Sequence, residues 1–133
     1  MFTYTVSTIA GPTGADRPTG HVDETGSEAR FNLPRGVAVD SEGNVYVADY
    51  GNHRIRKLTK PGSGDSATYT VDTIAGPTST ECTSNNDACP SGFTDATRSA
   101  ARFQNPSGVA VDSVGNVYVA DFGNHRIRKI VYQ

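Results

Sequence analysis

The sequence predicts an all-β protein made of two copies of one four-stranded antiparallel unit. Three observations predict it. Arg30–Lys57 and Arg102–Lys129 are identical at 23 of 28 positions, at an offset of 72 residues. Thr3–Thr13 and Thr68–Thr78 are identical at 10 of 11 positions, at an offset of 65. No stretch carries helical periodicity of useful length, and the apolar residues come in short runs between Gly, Pro, Asn and Asp. The offsets differ by seven, so seven residues are inserted between the two blocks of the second unit. The insertion falls in the stretch that holds Cys82 and Cys89.

Each element has a local reason. Val37-Ala38-Val39 is a short apolar strand. Asp40-Ser41-Glu42-Gly43-Asn44 is a hairpin turn, with Gly43 free to take a positive φ. Val45–Asp49 is β-branched and aromatic, which suits a pleated, half-buried strand. Gly51-Asn52 makes a second turn. His53–Leu58 alternates, with Arg54 and Arg56 on one face and Ile55 on the other. Lys60–Ser66 is rich in Pro, Gly and Ser and reads as a loop. Tyr69–Ile74 is a fourth strand, ended by Ala75-Gly76-Pro77. Four short strands joined by tight turns make one meander, with strands A to D in chain order.

Composition narrows the class. The 133 residues are 35% hydrophobic and 20% charged, too apolar and too patterned for a disordered chain. No run approaches the ~18 apolar residues that a membrane span needs, so no membrane partner is expected. Met1-Phe2-Thr3-Tyr4 has no basic start and no apolar run after it, so no signal peptide is expected. The net charge of −2 argues against binding nucleic acid by general electrostatics.

The run P-x-GVAVDS-x-GNVYVAD-x-GNHRIRK, which occurs twice, resembles the NHL repeat, a family of β-propeller blades. The family letters fall on Asn52-His53-Arg54-Ile55 and Asn124-His125-Arg126-Ile127, with an aliphatic residue further along serving as the third. The TIAG run and the ARF-x-x-P-x-G entry into strand A also look like one NHL subfamily. The resemblance covers about 120 residues and implies a propeller fold. It implies no single function, because NHL propellers include RNA binders, interaction platforms and an amidating lyase. Halves this similar are those of a recent duplication or of an excised or engineered pair of blades.

The repeat is out of phase with the chain. Residues 3–11 read as a D strand with no A–C before it. Residues 30–76 hold a complete A–D blade, and 102–133 hold only A–C. Propellers need ~4–8 blades, so two cannot close a ring. Unpaired edges invite other chains. The expected solution is a homo-oligomer in which Tyr4–Ala10, through Tyr4, Val6 and Ile9, serves as the closing strand beside His125–Tyr132 of a neighbour. Two, three or four copies would give four, six or eight blades. NHL propellers commonly have about six, so a trimer is the expectation.

Candidate chemistry is sparse. Asp49, Asn52, His53 and Arg54 recur as Asp121, Asn124, His125 and Arg126 at the B–C turns. A catalytic reading makes His53 a base oriented by Asp49. The structural reading is the better one, because a catalytic site seldom recurs in every repeat; Asp and Arg can pair, and Asn52 suits the turn. The histidines are His21, His53 and His125, with no C-x-x-C and no H-x-x-x-H, so neither metal nor other cofactor is expected. Asp40–Asn44 lacks the spacing of a calcium loop. Cys82 and Cys89 read as a disulfide that staples an exposed loop, which points to an extracellular or periplasmic setting. The D–A loops, Pro12–Ala29 and Pro77–Ala101, are net acidic. Their acids are Asp16, Asp23, Glu24 and Glu28 in the first, and Glu81, Asp87 and Asp95 in the second. Such loops repel phosphate and leave a protein or small ligand as the expected partner of that face. A non-enzymatic scaffold is therefore the expected function. The rivals are a metal-dependent lyase and an RNA-binding platform.

Overall fold

The first hairpin turns on Asp40. Its Oδ1 accepts the backbone N–H groups of Glu42 and Asn44, each at 2.9 Å, and Gly43 closes the turn at φ +86°. Asp112 and Gly115 repeat the arrangement 72 residues later. Tyr46 fixes the turn from the strand side, its hydroxyl donating to Asp40 Oδ2 at 3.1 Å.

In the computed structural model, which describes residues 2–62, 68–83 and 89–133, these hairpins build two antiparallel sheets. The first has four strands in chain order: β1 (Pro34–Val39), β2 (Val45–Asp49), β3 (Arg54–Thr59) and β4 (Thr70–Ala75). The second has three: β5 (Pro106–Val111), β6 (Val117–Asp121) and β7 (Arg126–Ile130). The register repeats as well: Tyr46 stands opposite Lys57 as Tyr118 stands opposite Lys129. The sheets pack face to face through β1, β2 and β5.

Alternation along β2 sends side chains to opposite faces, and both faces are covered. Tyr46 and Ala48, with Ile55 and Ala75, form one core with Val117 and Val119 of the second sheet and with Ala101 and Phe103 of the segment that leads into it; Val109 and Val111 pack against it. Val47, with Leu58, Val71 and Ala29, forms a second core on the other face, and Ile9, Ala10 and Phe31 pack there.

Several sequence expectations shift at element ends. β1 and β5 begin at Pro34 and Pro106, ahead of the apolar triplets, with a register irregularity just after each proline. The second turn is a 3-10 turn, Tyr50–Asn52, and His53 leaves β3 because it takes the left-handed conformation at φ 54°. His125 does the same at φ 56°. Residues 63–66 of the expected loop lie outside the described residues.

Tyr4–Ala10 forms no strand within the chain. Tyr4 and Val6 are fully exposed, since no ladder partner lies beside them, whereas Ile9 is partly buried on the first sheet. Ile9 and Ala10 pack against the cluster that contains Ala29 and Val47. Of their repeat counterparts, Ala75 belongs to the cluster that contains Ala101, Phe103 and Val119, and Ile74 packs against it. The N-terminal segment thus touches the first sheet as the end of β4 touches the second.

Candidate functional site

β2 and β3 carry a buried polar network at the turn between them. Asp49 ends β2 with its carboxylate fully buried. Its Oδ1 accepts the Asn32 backbone N–H at 2.9 Å. Its Oδ2 accepts Asn52 Nδ2 at 2.7 Å and Arg56 Nη1 at 2.8 Å. Asn52 Nδ2 also donates to the Gly20 carbonyl at 2.7 Å, which ties the turn to the loop that enters the first blade. Asp121 repeats this with the Gln104 N–H, Asn124 and Arg128, and Asn124 reaches the Gly92 carbonyl. These bonds hold each D–A loop on the same side as the B–C turn.

Arg54 lies in the same network with weaker pairing. Its Nε is 3.9 Å from Asp49 Oδ2 and its Nη2 is 4.0 Å from Asp23 Oδ1, while Nη2 donates to the His21 carbonyl. Burial, with Arg56 beside it, lowers its pKa to about 10, and Asp23 and Asp49 oppose that shift. It is still a cation at neutral pH. Arg54 Nε and His21 Nδ1 are buried without a hydrogen-bond partner among the described residues.

His53 stands apart from Asp49. Its Nδ1 accepts the backbone N–H of Asn105 at 3.0 Å, a bond that joins the two blades. Burial lowers its pKa, against the pull of Asp121 and Asp49. Asp49 has its bonds to Asn32, Asn52 and Arg56, so the sequence's catalytic pairing is not formed. His125 and Arg126 are exposed; Arg126 donates to the Phe93 carbonyl at 3.3 Å and lies over the Phe93 ring. Among the described residues, no three His, Cys, Asp or Glu side chains gather where one metal ion could be held.

Two partners in the network were not singled out from sequence. Asp23 Oδ1 accepts Arg56 Nε at 3.0 Å and Nη2 at 2.7 Å, and its Oδ2 accepts the Thr73 N–H and hydroxyl. Asp95 receives Arg128 in the same way, at 3.0 and 2.7 Å. The signal was present: the 72-residue offset also aligns Asp23 with Asp95 and Thr25 with Thr97. With Glu81 paired to Arg102 as well, the loop face carries fewer free carboxylates than composition implies. Asp87 lies outside the described residues.

Cys82 and Cys89 are joined, with Cα atoms 4.1 Å apart. Both are buried, which corrects the expectation of a staple on an exposed loop. The Cys89 sulfur lies 3.6 Å from Asn52 Oδ1; a bridged sulfur carries no proton, so this contact is packing. The staple therefore rests on the B–C turn of the first blade. Thiol titration of the unfolded, unreduced chain is expected to find no free thiol. Reduction should lower stability by about 2.5 kcal/mol, the loop-closure value for eight residues, and urea denaturation with and without reductant measures it.

These features define a pair of propeller-type blades with a shared turn network. Residues 31–58 and 103–130 match the NHL repeat family, and the chain is an NHL-repeat protein. It is 35% identical over 111 residues to NHL repeat-containing protein 2 of Homo sapiens, covering 82% of this chain and 13% of that protein. It is 32% identical over 111 residues to Protein SUPPRESSOR OF QUENCHING 1, chloroplastic, of Arabidopsis thaliana, covering 84% of this chain and 9% of that protein. Among solved structures it resembles an auxiliary nutrient binding protein from Bacteroides thetaiotaomicron, with TM-score 0.68 and 32% identity over 93% of this chain and 28% of that one. The chain thus spans only a small part of each of these relatives.

Proposed function

We propose that the chain is a non-enzymatic propeller scaffold whose copies join head to tail by exchanging the Tyr4–Ala10 strand, three copies making a six-bladed ring. The observation that carries this reading is a pair of complementary open faces. Within the chain, Val109 and Val111 pack on the face formed by Tyr46, Ala48 and Ile55. Their repeat counterparts are uncovered: Val37 and Val39 at one end, and Tyr118 and Ile127 at the other. At these positions the end that would receive a blade and the end that would supply one carry the same residues as the contact already made.

A difference at the seam supports a contact between copies. Inside the chain, Asn105 Nδ2 donates to the Tyr50 carbonyl across the two blades. At the open ends the counterparts are Leu33 and Phe122, both exposed. Head-to-tail docking would bring them side by side, replacing a polar bridge with an apolar pair. Such an arrangement is heterologous, and it closes when the rotation per chain divides a full turn. The D–A loops would then surround one mouth of the ring. We place a protein or small-molecule partner there, a placement supported by the likeness to an auxiliary nutrient binding protein.

Light scattering tests the reading. The expected mass is near three times the 14.1 kDa of one chain. Deleting residues 1–11 should abolish assembly. A monodisperse monomer would overturn head-to-tail joining, and a clean dimer or tetramer would overturn the six-blade count.

A further inference from the structure

A groove of about 900 Å³ runs between the free edge of β7 and the β3–β4 side of the first blade, lined by Asp95, Phe103, Arg128 and Ile130 on one wall and by Thr73 and Ile74 on the other. The corresponding position in the first blade is filled by β4. There the strand is held on two sides. β3 pairs with it in the ladder. The D–A loop holds its start: Gly26 N–H donates to the Tyr69 carbonyl, and Val71 N–H donates to the Glu24 carbonyl. Asp23 completes the clasp, its Oδ2 accepting the Thr73 hydroxyl at 2.8 Å and the Thr73 N–H at 3.2 Å.

The second blade has the clasp without the strand. Asp95 Oδ1 is held by Arg128 at the same 3.0 and 2.7 Å as Asp23 is held by Arg56. Its side chain is 89% exposed, against 29% for Asp23. Its Oδ2 faces no donor among the described residues. The Thr73 of the first blade has one counterpart at the 65-residue offset, and that is Thr8. The same alignment sets Tyr4 against Tyr69 and Val6 against Val71. Val71 is buried in the second core of the first blade, so an incoming Val6 has an apolar seat of the same kind.

We infer that Asp95, oriented by Arg128, is the docking anchor for a second copy of this chain and takes the Thr8 hydroxyl and amide of the incoming strand. This rests on the strand-exchange reading and names the contact that sets its register. A slip of one residue would turn Thr8 away from Asp95 and Val6 away from its seat, because side chains alternate across a strand. Arg128 serves two ends at once: it holds Asp121 of the turn network at 2.8 Å and presents Asp95 to the partner. The partner contributes the donor that completes the site.

The experiment uses the full chain and follows mass against dilution by sedimentation equilibrium. The variants are Thr8→Val, Asp95→Ala and the two together, with Thr73→Val reporting what the same bond contributes inside the first blade. Thr8→Val is expected to raise the dissociation constant about tenfold or more, as for loss of a hydrogen bond to a charged group. The double variant is expected to be no weaker than Asp95→Ala alone, because the two residues act through each other. Thr73→Val, which removes the same bond inside the first blade, should lower the urea midpoint. Thr8→Val diluting like the parent, or effects of Thr8→Val and Asp95→Ala that add, would overturn the anchor while leaving strand exchange standing. A parent chain that is monomeric at every concentration would overturn the exchange itself.

Discussion

Asp49→Asn is expected to cost about 3–5 kcal/mol of folding stability, the range for leaving a buried cation without its partner. The substitution keeps shape and removes charge. Asp49 is fully buried and takes Arg56 at 2.8 Å, with Arg54 at 3.9 Å. Both guanidiniums are themselves fully buried, so water cannot take over the role. Among the described residues Asp23 is left as the sole acid for two cations, and it is partly solvated. A domain of this size has roughly 5–15 kcal/mol in total, so the variant should lose a large share of its stability and unfold at a clearly lower urea concentration. Adding Arg56→Met should recover part of the loss, because the uncompensated charge goes with it. Urea denaturation followed by far-UV circular dichroism measures both. A midpoint for Asp49→Asn within error of the parent would show that the network carries no such energy. Asp16→Asn, in the exposed first loop, is the control expected to change nothing.

The fold was legible because its signals are local and occur twice. Asp40 and Gly43 announce a hairpin, the Val45–Asp49 run announces a strand, and a 72-residue offset shows that both recur. The ends of the elements were less legible. His53 belongs to an alternating run in the sequence, yet the 3-10 turn before it requires a left-handed residue there. The site was legible in its members and not in its wiring. Asp49, Asn52 and Arg54 do meet, but Arg56 is the stronger partner of Asp49, and His53 bonds to the other blade. Composition placed Asp23 and Asp95 among solvated loop acids. Their pairing with arginines 33 residues along the chain depends on how the loop folds back, which no local pattern encodes. The same holds for the cysteines: seven residues of separation allow a bridge, but only packing on Asn52 buries it.

Ile127→Asp is expected to give a folded chain that no longer assembles. Ile127 is 79% exposed in the single chain, so an aspartate there meets water and leaves the blade intact. Its counterpart Ile55 is 0% exposed beneath the second blade, which marks how deeply position 127 would be covered in a ring. Covering an isoleucine contributes about 1.5–3 kcal/mol. Covering an unpaired carboxylate in its place costs several kcal/mol more. The change recurs at every junction of a closed ring, so the loss compounds and the ring should not persist at micromolar concentration. Light scattering should then report one chain, while circular dichroism keeps the β spectrum and a cooperative urea transition. Ile55→Asp is the matched comparison: the same chemistry, buried within the chain, should unfold it whatever the state of assembly. If Ile127→Asp scatters with the parent's mass, the face of Tyr118, Ala120 and Ile127 is not where copies meet. The likeness of the open faces to the closed one would then have no consequence for assembly.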